Sequence, residues 1–103
     1  MVNVVGLGKF SCDIADNFSS NTQYSTYKID FDLPKSKKSR GLTLHQNPEK
    51  IEEKCPSMSY FFKAARGDSH FFMEGRDPSS AASLKVLEGM DHHKTNVFYI
   101  HPE

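Results

Sequence analysis

The chain of 103 residues carries 13 Lys and Arg against 13 Asp and Glu, so its formal net charge is zero with neutral His. This length fits one domain, residues 1–103, with a modest core. Eight Phe and four Tyr supply apolar bulk that disordered chains lack. The neutral balance argues against a nucleic-acid partner, because such domains are usually strongly basic. No apolar run approaches the roughly 18 residues that span a bilayer, so we expect no membrane association.

The N-terminus and the cysteines indicate the compartment. Residues 1–5 are apolar but lack the basic region and the apolar stretch of a signal peptide. Cys12 and Cys55 are too few to build a disulfide scaffold. We therefore expect a cytoplasmic protein.

The first third of the chain predicts strand, helix and strand. Residues 2–7 are β-branched, apolar and followed by glycine, which is typical of a buried strand. Phe10, Ile14 and Phe18 then recur on one face of a helix. Residues 24–31 predict a second strand. This order favours parallel pairing of the two strands.

The middle of the chain predicts a loop and two helices. Residues 34–41 are polar and basic and are interpreted as a surface loop. Asn47 and Pro48 form a helix start, and Pro56 should end that helix. A second helical stretch is predicted from an apolar stripe that we assign to the core: Met58, Phe61, Phe62 and Ala65.

The last third predicts two more strands around a helix. Residues 70–73 form a strand, Ser79 or Ser80 caps the helix that follows, and residues 96–101 form the last strand. The whole pattern predicts an α/β fold, with a Rossmann-like, mostly parallel sheet of about four strands and flanking helices.

The first candidate site is the glycine turn after the first strand. Gly6 and Gly8 would let backbone amides approach a phosphate at the start of a helix. Ser11 stands where a dinucleotide fingerprint has its third glycine. Asp30 and Asp32 end the second strand, where a carboxylate can hold ribose hydroxyls. The alternative interpretation is a purely structural turn.

The second candidate site is the turn before the last predicted helix. Arg76 can pair with phosphate, and Ser79 and Ser80 can donate hydrogen bonds to it. Pro78 removes one backbone donor, so an ordinary capped turn is the equal alternative.

Two further patterns were weighed and assigned no chemistry. Asp91, His92 and His93 are adjacent, so their side chains diverge, and we predict no metal site. Cys12 lies early in a helix, where a lowered thiol pKa is expected. Because no base accompanies Cys12, we interpret it as a packed thiol. No catalytic set of residues is predicted.

Several stretches of the chain resemble the N-terminal nucleotide-binding half of the tubulin/FtsZ superfamily of GTPases. Residues 4–15 look like its first strand and glycine-rich turn. Residues 39–42 and 47–49 are similar to a later loop and helix start, residues 68–82 to the strand and signature loop, and residues 96–102 to the next strand. In this chain the signature loop has one glycine in place of the family's run of glycines and threonines.

The resemblance implies that the chain binds GTP or GDP, with Mg²⁺ as a possible companion, and forms homo-oligomers. It assigns Gly6, Gly8, Ser11 and Cys12 to the α- and β-phosphates, Gly75, Ser79 and Ser80 to the terminal phosphates, and Asp30 to the ribose. The basic residues 35–40 would add charge neutralisation. Hydrolysis by this chain alone is not expected, because no residue stands out as a base.

Two alternatives remain open at this point. One is an NAD-type dinucleotide-binding Rossmann fragment that uses Gly6, Gly8 and Asp30. The other is a non-enzymatic interaction protein that keeps the fold without a ligand.

Overall fold

The computed structural model describes residues 2–65, 67–90 and 94–101. The strands are β1 (Val2–Leu7), β2 (Tyr24–Phe31), β3 (Ser39–Leu42), β4 (Ser69–Glu74) and β5 (Thr95–Ile100). The helices are α1 (Lys9–Phe18), α2 (Pro48–Lys54), a short 3₁₀-helix (Pro78–Ala82) and α3 (Ser83–Glu88).

The strands form one sheet, in the order β3-β2-β1-β4-β5. Every neighbouring pair in this sheet is parallel. Parallel sheets of this kind bury their central strands under helices, and β1 is buried along five of its six residues. The α/β fold predicted from the sequence is therefore confirmed. None of the helices in the described ranges has the length and apolar character needed to span a membrane.

Strand β3 begins within residues 34–41, which were predicted to be a loop, so the sheet has five strands rather than about four. It runs parallel to β2, with Lys28 opposite Ser39 and Phe31 opposite Leu42. Of its four residues only Leu42 is buried. The strand is therefore held by its backbone pairing with β2 and not by an apolar pattern of its own.

The main core lies on one face of the sheet. Alternate residues of the central strands point to this face, because side chains along a strand alternate between faces. They pack with α2, residues 58–65 and α3. The largest fully buried members of this cluster are Phe62, Phe71, Leu7, Ile29, Met58 and Met90.

Residues 58–65 join this core as turns, so the helix predicted for them is wrong. The hydrogen bond from Phe62 N to Met58 O, at 3.1 Å, has helical spacing, but the bonds that follow span only three residues. Phe and Tyr are modest helix formers, and so short a segment nucleates a helix poorly. The predicted core role is confirmed, since all members of its apolar stripe are buried: Met58, Phe61, Phe62 and Ala65.

Helix α1 forms where it was predicted, but its buried face is not the predicted aromatic one. The side chains buried against the sheet are small: Ser11, Cys12 and Ala15. Phe10 is 51% exposed, and Phe18 packs edge-on against Tyr24 at the far end of the helix. Small residues are required here because the helix backbone lies directly over β1 at Gly6.

Truncation of Phe62 tests the assignment of the core. Its ring is fully buried and makes edge-on contacts with Tyr27 and Phe61. We expect Phe62→Ala to lower the free energy of unfolding by about 3–5 kcal/mol. The matched control is Tyr60→Ala, two residues away and 73% exposed, which should change stability by less than about 0.5 kcal/mol. Equal urea midpoints for the two variants would contradict the assignment.

Candidate functional site

The order of the strands creates one crevice at the centre of the sheet. The chain leaves β1 towards β2 on one side, while β4 pairs with the other side of β1. Ligands of open α/β sheets bind beyond the carboxyl ends of the strands at such a switch point. The two loops there follow Leu7 and Glu74, and they contain both turns predicted as candidate sites.

The first of these loops is a sharp bend at Gly8. Its backbone has φ 93° and ψ 168°, a conformation that side chains disfavour. Gly8 N donates to Ile29 O at 2.8 Å, which ties the bend to the end of β2. Gly8 also caps α1 without a side-chain hydrogen bond. The amides of the first turn of α1 therefore lack an intrahelical acceptor, as at any helix start.

The second loop packs directly against this bend. A methyl group built at Gly8 would lie 2.5 Å from Ser79 Oγ and 2.9 Å from Asp77 Cγ. Asp77 Oδ1 also accepts a hydrogen bond from Ser79 N at 2.9 Å, so Asp77 caps the 3₁₀-helix. The prediction that Ser79 or Ser80 caps the helix containing Leu84 and Leu87 is wrong. Asp77 caps the 3₁₀-helix that precedes it, and α3 follows Ala82 without a side-chain cap.

Asp77 is the residue of this crevice that the sequence analysis missed. Its carboxylate touches the bend that was expected to receive a phosphate. The available signal was Asp77 followed by Pro78 and Ser79, a common pattern for the start of a helix. Nothing in the sequence indicates that this cap also faces Gly8.

The predicted serines have different surroundings. Ser11 and Ser79 are almost fully buried, and among the described residues neither Oγ has a hydrogen-bond partner. Ser80 Oγ instead donates to Gly75 O at 3.3 Å within its own loop. Gly75 is covered by the phenol of Tyr99, which a side chain at position 75 would overlap. Of the predicted serines, Ser11 and Ser79 therefore retain unused hydrogen-bonding capacity.

Gly6 and Cys12 have structural positions beneath the bend. A side chain at Gly6 would collide with the backbone of Ser11 in α1. Cys12 Sγ donates to Gly6 O and to Ile29 O, each at 3.5 Å. Burial, and then the nearby Asp30 carboxylate, raise the pKa of Cys12 to about 12. The expected lowering of this pKa is wrong, whereas the interpretation of Cys12 as a packed thiol is confirmed.

Asp30 brings negative charge to the same edge of the sheet. Burial is the main cause that raises the pKa of its carboxyl, and the neighbouring Asp77 and Asp32 carboxylates raise it further. A hydrogen bond from Phe31 N at 2.8 Å and the Lys9 ammonium act in the opposite direction. The crevice is therefore acidic, and a bare phosphate would meet repulsion there.

Metal binding by protein side chains alone has no support in the part of the chain that the structure describes. No three His, Cys, Asp or Glu side chains there converge to hold an ion. The pattern at residues 91–93 lies outside the described residues.

Comparisons with known proteins add no relative: no family model, no curated protein and no solved structure matches this chain significantly. The resemblance to the tubulin/FtsZ superfamily remains a prediction that rests on the residues quoted for it.

The thiols offer a direct test of the packing around the bend. Both cysteines are buried, and burial raises the pKa of each. We expect iodoacetamide at pH 8 to label Cys12 and Cys55 at least about tenfold more slowly in the native protein than in urea, because the thiolate is the reactive form. Peptide mass spectrometry reports each site separately. Native labelling of Cys12 at the denatured rate would contradict its burial.

Neutralising Asp30 should stabilise the protein at neutral pH. Because the folded-state pKa of Asp30 is raised above 3.8, the unfolded chain releases this proton first, and stability falls as pH rises through the interval between the two pKa values. Asp30→Asn keeps a side-chain oxygen for Phe31 N and removes the charge.

We therefore expect a higher Tm for Asp30→Asn at pH 7 and no gain below about pH 2.5, where Asp30 is almost fully protonated in both states. The control is Asp13→Asn, an exposed carboxyl on α1, which should leave the Tm unchanged at pH 7. A gain of equal size at both pH values would show that charge is not its cause.

Proposed function

We propose that this chain is a nucleotide-binding module whose site is the crevice between the ends of β1 and β4, and that its ligand is GTP or GDP bound together with Mg²⁺. The α/β fold supports this class of function, because doubly wound sheets bind ligands at this position. The choice of guanine rests on the resemblance to the tubulin/FtsZ superfamily alone.

The observation that carries the proposal is the meeting of two loops at Gly8. The uncapped start of α1 lies beside Ser79, and the buried hydroxyls of Ser11 and Ser79 have no partner among the described residues. Buried hydroxyls without partners are costly and call for an acceptor. Phosphate oxygens accept hydrogen bonds both from hydroxyls and from the backbone amides at a helix start.

The acidic residues of the crevice explain why Mg²⁺ belongs to the proposal. Asp77 lies against Gly8, and Asp30 is close enough to Asp77 for the two carboxylates to interact electrostatically. Mg²⁺ is typically held by one or two carboxylates together with substrate phosphates and water, so three converging side chains are not required. Asp30 and Asp77 would hold the ion, which neutralises phosphate charge when bound.

A cytoplasmic location is part of the same proposal. Cys12 and Cys55 are free thiols, which is the usual state of cysteines in a reducing compartment.

The test is a thermal-shift and calorimetric titration with GTP, GDP and NAD, each with Mg²⁺ and with EDTA. We expect GTP and GDP to raise the Tm in Mg²⁺ and to have little effect in EDTA. Absence of heat and of any shift at millimolar guanine nucleotide in Mg²⁺ would refute the proposal. Selective stabilisation by NAD, independent of Mg²⁺, would favour the dinucleotide-binding alternative.

Two substitutions make this test specific to the crevice. Ser79→Ala should weaken Mg²⁺–GTP binding by roughly tenfold or more, the usual effect of losing a hydrogen bond to a charged group. Asp77→Asn retains a capping oxygen but loses the charge, so binding should lose much of its dependence on Mg²⁺. The control is Ser20→Ala, an exposed serine just beyond α1, which should bind as the parent does.

A second candidate function, a protein-interaction module, is favoured by β5. It is the last strand in the sheet order, and Val97, Phe98 and Tyr99 are between 44% and 56% exposed. Phe98 stacks on Phe72 with ring centroids 4.8 Å apart. Exposed apolar residues on an edge strand invite pairing with another chain, which also suits the proposed homo-oligomer. Light scattering that detects oligomers without nucleotide, together with no nucleotide response, would favour this function.

A further inference from the structure

A second, chemically different site lies beside the amino end of β3. A pocket of about 660 Å³ opens there between the basic loop and the turns of residues 60–64. This volume is within the range of small-ligand sites, about 300–1,000 Å³. Among the described residues that line it there is no Asp or Glu. Its cations are Lys35, Lys37, Lys38, Arg40 and Lys63.

Aromatic rings of the pocket lining lie against three of these cations. Lys38 Nζ lies 5.9 Å from the ring centroid of Tyr27. Arg40 Cζ lies 5.4 Å from the Phe61 centroid, and Lys63 Nζ lies 4.2 Å from the Tyr60 centroid. These distances are typical of cation–π contacts. The pocket therefore presents positive charge and flat apolar surface together.

Arg40 and Tyr60 have capacity left for a ligand. Arg40 Nε is buried, and among the described residues it has no hydrogen-bond acceptor. Neither of the ion pairs recorded in the described ranges involves Lys38 or Arg40. Tyr60 is 73% exposed, so much of its ring is open to contact. A ligand that carries both a negatively charged acceptor and a planar group would use Arg40 Nε and the Tyr60 ring together.

We propose that this pocket binds single-stranded nucleic acid. A single strand alternates phosphates with unpaired bases, and proteins bind it with cationic grooves in which aromatic side chains stack on the bases. Tyr60 would stack on the bases. Lys38, Arg40 and the neighbouring lysines would contact the phosphates. An acidic peptide or an anionic lipid surface supplies the charge without the planar rings, and a duplex keeps its bases stacked inside.

Charge segregation explains why the net charge of the chain did not reveal this site. The acids Asp30, Asp32 and Asp77 lie at or just after the carboxyl ends of β2 and β4, outside the pocket lining. A chain with no net charge can still hold a strongly basic patch when charges of opposite sign are kept apart.

The experiment is fluorescence anisotropy with a labelled dT12 oligonucleotide, in EDTA so that Mg²⁺-dependent nucleotide binding does not contribute. Tyr60→Ala should weaken binding by about tenfold, and Tyr60→Phe should restore it because the ring remains. Lys38→Ala should also weaken binding and reduce the slope of log K against log salt concentration by about 0.7, the value for one phosphate contact with a single strand. Lys54→Ala, an exposed lysine at the end of α2, is the control and should change neither.

Competition decides between the partner classes. Unlabelled dT12 or U12 should displace the probe, and a duplex or poly-glutamate of equal charge should displace it at least tenfold less well. Equal competition by poly-glutamate would overturn the proposal in favour of an acidic protein partner. Equal competition by vesicles of anionic phospholipid would overturn it in favour of a membrane surface. Unchanged binding by Tyr60→Ala, with the variant folded by circular dichroism, would also refute it.

Discussion

The contact between the backbones of α1 and β1 at Gly6 is the constraint on which the candidate site depends. The position that a side chain would take at Gly6 is occupied by the Ser11 carbonyl. Only Gly8 separates the strand from the helix, so the chain must reverse at one residue with positive φ. Small residues must then face the sheet along α1, as Cys12 does. This tight reversal sets the start of α1 directly over the end of β1 and opposite the loop that follows β4.

The same chain carries two surfaces of opposite charge. At the carboxyl ends of the strands, Asp30 lies near the carboxylates of Asp77 and Asp32, which add to the effect of burial in raising its pKa. Beside β3, cations such as Lys38 and Arg40 lie over aromatic rings. A phosphate would bind to the acidic surface through Mg²⁺ and to the basic surface by direct ion pairing. The two proposed phosphate-binding sites are therefore compatible in one small domain, since each would select a different form of the ligand.

The parts of the fold that were predictable are those with a local signal. The β-branched run before Gly6 predicted β1, and Asn47 with Pro48 predicted the start of α2, whose cap is the bond from Glu49 N to Asn47. β3 was not predictable, because it gains its conformation from pairing with β2. The contact of Asp77 with Gly8 was equally hidden, since it joins residues of two loops that only the strand order brings together. The basic residues 35–40 were expected to neutralise charge, but their pocket was not predicted, because residues 60–64 complete it from a distant part of the sequence.

The position of Asp77 has a consequence for how tightly any phosphate can bind. Its carboxylate caps the 3₁₀-helix through Ser79 N and also lies against Gly8. A carboxylate at a helix start is favourable for the same reason that a phosphate is. A ligand phosphate would therefore compete with the Asp77 carboxylate for this position. The net free energy of phosphate binding is the difference between the two interactions. In the proposed Mg²⁺ complex Asp77 would hold the ion, and its charge would then no longer oppose that of the phosphate.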